Sequence, residues 1–223
     1  MNSDVFQGDV DIVLNNFNKV LKLLIFCYEK IISEITFNLD EFENFIRNIF
    51  ITNLRNNKKL FGLGKIYFEA ELEEIKDNYT TGGFIDIKVG NIEGGDFCDE
   101  NKYFAFECKR INGYSEHKKE YVDNGLSRFI SGQYSKSMQL SGMIGFVQGF
   151  KKGKNIGDNI QKIKDFLKNE SKIKIKSNTI QNLEYYEIEK SFNYSYFSKH
   201  KRERKLGNID IYHLFFDFTQ GTQ

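Results

Sequence analysis

The sequence predicts an α/β fold in which helices flank a central mixed sheet, with one long helix at the N-terminus. Three observations predict it. From Val10 to Ile35 apolar residues recur at three- and four-residue steps, the period of an amphipathic helix. Within Gly83–Arg110 two β-type runs, GGFIDIKVG and KYFAFECKR, bracket a loop rich in Gly, Asn and Asp. Two further apolar runs, Ser141–Phe150 and Ile209–Phe218, alternate with helical patterns, as strands and helices do in layered α/β folds. At 223 residues the chain suits a single domain, 1–223, long enough for a sizeable core. Residues 10–35 form its N-terminal helix, 36–150 its core, and 151–223 a lysine-rich helix with closing strands.

The first helix carries Val13, Phe17, Val20, Leu21, Leu24, Tyr28 and Ile31 on one stripe. Lys19, Lys22, Glu29 and Lys30 interrupt it too often for a membrane span. A stripe so regular packs on its own domain or forms a seam with a second chain. A second helix is expected over Thr36–Leu54, with Asn38 as N-cap and Glu41 completing a capping box. Its apolar face is Leu39, Phe42, Ile46, Ile49, Phe50 and Asn53; Glu43 falls on the edge of that face and Glu41 nearly opposite. The FGLGK stretch after it lacks the remaining residues of a phosphate loop. Ile66–Leu72 reads as a strand, Tyr67, Glu69 and Glu71 on one side and Phe68 and Ala70 on the other.

The two β-type runs carry the chemistry. Side chains alternate along a strand, so Glu107 and Lys109 point the same way, with Tyr103 and Ala105, while Phe104, Phe106 and Cys108 face a core. A carboxylate and an ammonium on an apolar strand are costly to bury unless paired or used. An antiparallel pairing brings Asp86 near Glu107, two carboxylates able to share a hard cation with a lysine beside them. The Gly90–Asn101 loop adds Asp96 and Asp99 as alternative carboxylates, though loops are poor at preorganising a site.

Further on, Lys118–Ser131 reads as a helix with Val122, Leu126, Phe129 and Ile130 on its apolar stripe. Tyr121, Gly125 and Arg128 share another face, where a phenol, a glycine and a guanidinium admit a phosphate. Gly125 inside a helix implies close approach of a backbone. Ser141–Phe150 reads as a buried central strand whose glycines allow tight helix contact. Lys151–Ser177 predicts a helix buried through Ile156, Ile160, Ile163, Phe166 and Leu167, then a short IKIKS strand. Glu184–Ser198 reads as a strand with its turn. Beyond it Ser198, His200 and Arg202 alternate on a strand and run into Lys201, Arg204 and Lys205, the densest basic patch, which suits phosphate contacts. His213 on the last strand reads as a hydrogen-bonded core histidine.

Asp86, then a spacer of about twenty residues, then Glu107-Cys108-Lys109 resembles the PD-(D/E)XK nuclease superfamily, whose fold is restriction-endonuclease-like. Ile85 stands where the motif has proline, and the chain contains no proline. The resemblance implies a metal-dependent endonuclease acting on DNA, most simply duplex, as a restriction or anti-phage effector. It implies Asp86, Glu107 and the Cys108 carbonyl as ligands of Mg²⁺, with Mn²⁺ as substitute, and Lys109 as the charge beside the attacking water. It also implies an added glutamate from the preceding helix, Glu43 by geometry, a helix directly after the second strand, and Gln148 near the site. Tyr121, Arg128, His200 and Arg202 are the candidate nucleic-acid contacts. A homodimer and an ATPase or helicase partner belong to the same picture. The alternatives are a nuclease for branched DNA or RNA, or a non-catalytic subunit that binds nucleic acid or a partner.

Composition limits these readings. A formal net charge of +1 excludes a strongly basic binder, so affinity for nucleic acid must come from local patches. Cys27, Cys98 and Cys108 are scattered, which argues against a disulfide framework or a zinc site. With no signal-peptide pattern and no uncharged apolar run long enough to span a bilayer, the expected setting is cytoplasmic, away from membranes.

Overall fold

A computed structural model describes residues 3–35, 43–75, 81–91, 103–150, 154–169, 178–202 and 206–219. Two helices come first, α1 (Ser3–Glu34) and α2 (Glu43–Asn57), followed by a 3₁₀ turn, Lys58–Phe61. Next come the strands β1 (Ile66–Ile75), β2 (Thr81–Asn91) and β3 (Phe104–Ile111). A helical segment follows: α3 (Ser115–Glu120), a π-helical turn Tyr121–Leu126, and α4 (Ser127–Ile130). Then come β4 (Leu140–Val147), α5 (Ile156–Lys168), β5 (Thr179–Tyr185), β6 (Ser195–Lys201) and β7 (Asn208–Asp217).

The strands form one seven-stranded mixed sheet in the order β1-β2-β3-β4-β7-β6-β5. β1, β2 and β3 pair antiparallel, β3, β4 and β7 pair parallel, and β7, β6 and β5 return antiparallel. Helices cover both faces, which is why β4, the central strand of the seven, buries seven of its eight residues. One face packs on α1 and α2 through Phe17, Phe50, Phe104, Phe106, Ile144 and Tyr212. The other packs on the π turn and α5 through Tyr121, Leu126, Ile163, Met143 and Phe215.

α1 spends its apolar stripe on its own sheet: Phe17, Val20, Leu21, Leu24, Tyr28 and Ile31 are all buried there. No helix among the described residues is long and apolar enough to cross a membrane. α5 buries the five residues its period predicts and carries a capping box between Asn155 and Asp158. β7 is an inner strand between β4 and β6. The expected Asn38 cap and the IKIKS strand lie outside the described residues.

Two glycines expected to admit a helix admit side chains instead. A Cβ on Gly142 would fall 2.1 Å from the Phe106 ring, and one on Gly145 would meet Ile111 and Phe215, all on neighbouring strands. A Cβ on Gly125 would fall 2.6 Å from Met143 Cε and 3.4 Å from Lys109 Cγ, so the close approach there is also to side chains.

Candidate active site at the fork between two strands

Among the described residues β2 and β3 pair through three registered positions, Val89↔Phe104, Lys88↔Ala105 and Ile87↔Phe106. The next step would set Asp86 opposite Glu107. There the Cys108 N–H donates to Asp86 Oδ2 at 2.8 Å, so a side chain replaces the main-chain ladder. Where the strands part, side chains from both helical layers reach the gap. α2 supplies Glu43 and Arg47, one helical turn apart on one face. The opposite layer supplies Arg128 from α4.

The contacts converge on Lys109. Its Nζ lies 2.6 Å from Glu107 Oε1, 3.8 Å from Glu43 Oε1 and 3.9 Å from Asp86 Oδ2, and donates to the Cys108 carbonyl at 2.8 Å. Arg47 Nη1 donates to Asp86 Oδ1 at 3.0 Å. The Arg110 N–H donates to Glu43 Oε2 at 2.6 Å. Arg128 Nη1 donates to Glu107 Oε1 at 2.7 Å and to the Tyr134 hydroxyl at 2.8 Å, and Tyr134 donates to the Phe84 carbonyl at 2.6 Å. Three carboxylates and three cations therefore form one network around an open cavity of about 440 Å³.

Burial sets the electrostatics. Glu107 is fully buried, and desolvation together with the Asp86 charge pushes its pKa up to about 7 against the pull of Lys109 and Arg128. Glu43 is also raised, chiefly by burial, with Lys109 opposing. For Lys109 burial acts downward, but Glu107, Glu43 and Asp86 outweigh it and hold the pKa above the ordinary lysine value. The amine is thus a fixed positive charge at neutral pH and no proton acceptor.

Glu107 Oε2 is buried without a hydrogen-bond partner, and each such oxygen costs about 1–3 kcal/mol. No group of three His, Cys, Asp or Glu side chains stands at metal-ligating spacing among the described residues. The ammonium of Lys109 occupies the middle of the carboxylates. The donor set itself, three carboxylates with one unpartnered oxygen and a backbone carbonyl, has the all-oxygen chemistry that hard divalent cations take.

Asp86, Glu107, Cys108, Lys109 and Glu43 are thus brought together, the set expected at one site; Arg128, expected as a phosphate contact beside Tyr121, joins them through Glu107. Three other expected residues are not at this site and are not surface contacts. Tyr121 is fully buried and bonds His213 Nδ1 at 2.9 Å. His200 is fully buried, with Nε2 2.7 Å from the Ser198 hydroxyl. Arg202 is buried and donates to the carbonyls of Ser135 and Leu206. The basic patch therefore fails as a phosphate surface at His200 and Arg202; Arg204 and Lys205 lie outside the described residues, as do Glu41, Asp96 and Asp99. Gln148 is buried at the end of β4, with its N–H on the Ile111 carbonyl, and does not line the cavity. His213 is the hydrogen-bonded core histidine expected. Arg47 and Tyr134 were not foreseen; the signal for Arg47 was its position one turn beyond Glu43.

No family model, no curated protein and no solved structure matches this chain. What the site does must be read from its own groups.

Proposed function

We propose that this chain is a divalent-cation-dependent nuclease of restriction-endonuclease-like fold that hydrolyses phosphodiester bonds in DNA. The observation that carries the proposal is the convergence of Glu43, Asp86 and Glu107 on Lys109 at the strand fork, with a buried oxygen of Glu107 left unpartnered. The antiparallel β1–β3 meander continuing into a parallel β4, and the helical segment directly after β3, agree with that fold.

Asp86, Glu107 and the Cys108 carbonyl would hold Mg²⁺ or Mn²⁺, with Glu43 adding a ligand or an acceptor for a bound water. The cation, when bound, neutralises the phosphate and lowers the pKa of a coordinated water. The protein supplies the rest. Arg47 and the Cys108 N–H fix the Asp86 carboxylate from two directions, which preorganises it. Lys109 stays protonated and stabilises charge developing on the phosphate oxygens. Arg128 has a forked guanidinium, partly exposed at the cavity, suited to a phosphate oxygen. A duplex break requires two such sites, which a symmetric pair of chains would provide.

The test is cleavage of duplex DNA, branched DNA, single strands and RNA in Mg²⁺, Mn²⁺ and EDTA, by the wild type and by Asp86→Asn and Lys109→Ala. The proposal expects metal-dependent cleavage that both substitutions abolish without unfolding the chain. Cleavage retained in both variants assigns the chemistry elsewhere. A second reading has one observation in its favour: Arg47, Lys109 and Arg128 already balance the three carboxylates. On that reading the cluster is a structural ion network in a non-catalytic binding subunit, and nucleic-acid binding survives EDTA with no turnover in either metal.

A further inference from the structure

We propose that Phe84 is a stacking platform for an unpaired base, so that the substrate presents an unpaired nucleotide at the site. This rests on the nuclease reading for the identity of the ligand. Among the described residues Phe84 is the one apolar side chain lining the cavity; the others are charged or an amide. Phe84 is 54% exposed, whereas most of the described phenylalanines are buried. Phe84 and Asp86 are two apart on β2 and share a face, so the ring stands about 7 Å along the strand from the carboxylate. That separation suits a base whose phosphate lies at the carboxylates.

The platform is held from behind. The Phe84 carbonyl accepts from the Tyr134 hydroxyl at 2.6 Å and from Arg128 Nη1 at 3.4 Å, and Arg128 itself lies over the Tyr134 ring. The strand position of the aromatic is thereby tied to the guanidinium that faces the phosphate. A paired duplex offers this cavity only backbone, with its bases stacked inside. A splayed nucleotide offers a π face to the ring and its phosphate to Lys109 and Arg128. Sequence-tolerant binding of single strands uses that combination of aromatic stacking and cationic backbone contact.

The test is fluorescence anisotropy with labelled single-stranded DNA, single-stranded RNA of the same sequence and a blunt duplex, in Ca²⁺ and again in EDTA. The variants are Phe84→Ala and Phe84→Trp, with folding checked by circular dichroism. The expected result is that Phe84→Ala weakens single-strand binding about 5- to 150-fold, the range for loss of one stacked base. Phe84→Trp should retain it, and duplex binding should not respond. Loss on either single strand supports the platform, and the tighter of the two names the polynucleotide. Equal loss on single strands and duplex, no loss on any probe, or no binding by the wild type overturns it. The readout is a ratio between variants, independent of turnover. If Asp86→Asn abolishes cleavage while Phe84→Ala leaves single-strand binding intact, the platform fails and the nuclease reading stands. If Phe84-dependent binding persists in a chain that cleaves nothing, the reverse holds.

Discussion

Replacing Glu107 by Gln tests the site's electrostatics without changing its shape. The buried carboxyl has its pKa raised from an ordinary 4.5 to about 7, through burial first and the Asp86 charge second. An acid with a raised folded-state pKa holds its proton more tightly folded than unfolded. Its stabilising contribution is complete below about pH 4.5 and is lost as pH rises through about 7. At about 1.4 kcal/mol per pH unit, the rise from 4.5 to about 7 amounts to about 3 kcal/mol. Glutamine fills the same space and does not titrate. In urea unfolding followed by circular dichroism, in EDTA, the stability of Glu107→Gln relative to wild type should therefore climb by about 3 kcal/mol between pH 4.5 and 8. Groups that do not sense Glu107 cancel in the difference; Asp86, Glu43 and Lys109 belong to its network and move with it. Asp86→Asn in the same series should reduce the climb, because it removes the second cause. A difference that stays flat from pH 4.5 to 8 would show Glu107 ionising as a solvated carboxylate, and the buried site would be refuted.

Arg47→Met should destabilise the chain by about 3 kcal/mol, since it leaves the buried Asp86 carboxylate without its closest cation; a change under about 1 kcal/mol in urea titrations would contradict the pairing. Gly142→Ala should cost about 1–3 kcal/mol by forcing the Phe106 ring aside, and Phe106→Leu in that background should recover part of the loss. His213, buried between the Tyr121 and Ser198 hydroxyls, has its pKa well below 6.5 through burial and the neighbouring His200. The unfolded histidine protonates first as pH falls, so stability should drop by up to about 2 kcal/mol from pH 6.5 to 5, and His213→Gln should flatten that part of the profile.

The heart of the site was legible because strand alternation is rigid. Glu107 and Lys109 had to share a face, and an antiparallel partner had to bring Asp86 beside them. A glutamate from the preceding helix was implied by the resemblance, and helical phase chose Glu43 over Glu41. Arg47 and Tyr134 were hidden because they become site residues only when α2 and the chain after α4 close over the fork. Tyr121 was misplaced for a local reason. The π turn takes one residue more per turn than an α-helix, so Tyr121 and Arg128 no longer share a face; one enters the core beside Phe215 and the other reaches Glu107. His200 and Arg202 were misplaced because their polarity was read as exposure. Alternation puts Ser198 and His200 on one side of β6, but only packing decides that this side is the inner one, where Ser198 bridges His200 and His213. The glycines of β4 do mark tight contacts, but with side chains of neighbouring strands and not with the expected helix, a distinction that sequence does not carry.

The most direct measurement is anomalous diffraction from a crystal soaked in Mn²⁺. The account predicts a metal peak held by the carboxylates of Asp86 and Glu107 and the Cys108 carbonyl, with Lys109 displaced from between them and no peak in Asp86→Asn. A soaked crystal in which Lys109 keeps its three carboxylates, with Mn²⁺ bound elsewhere or not at all, would contradict it.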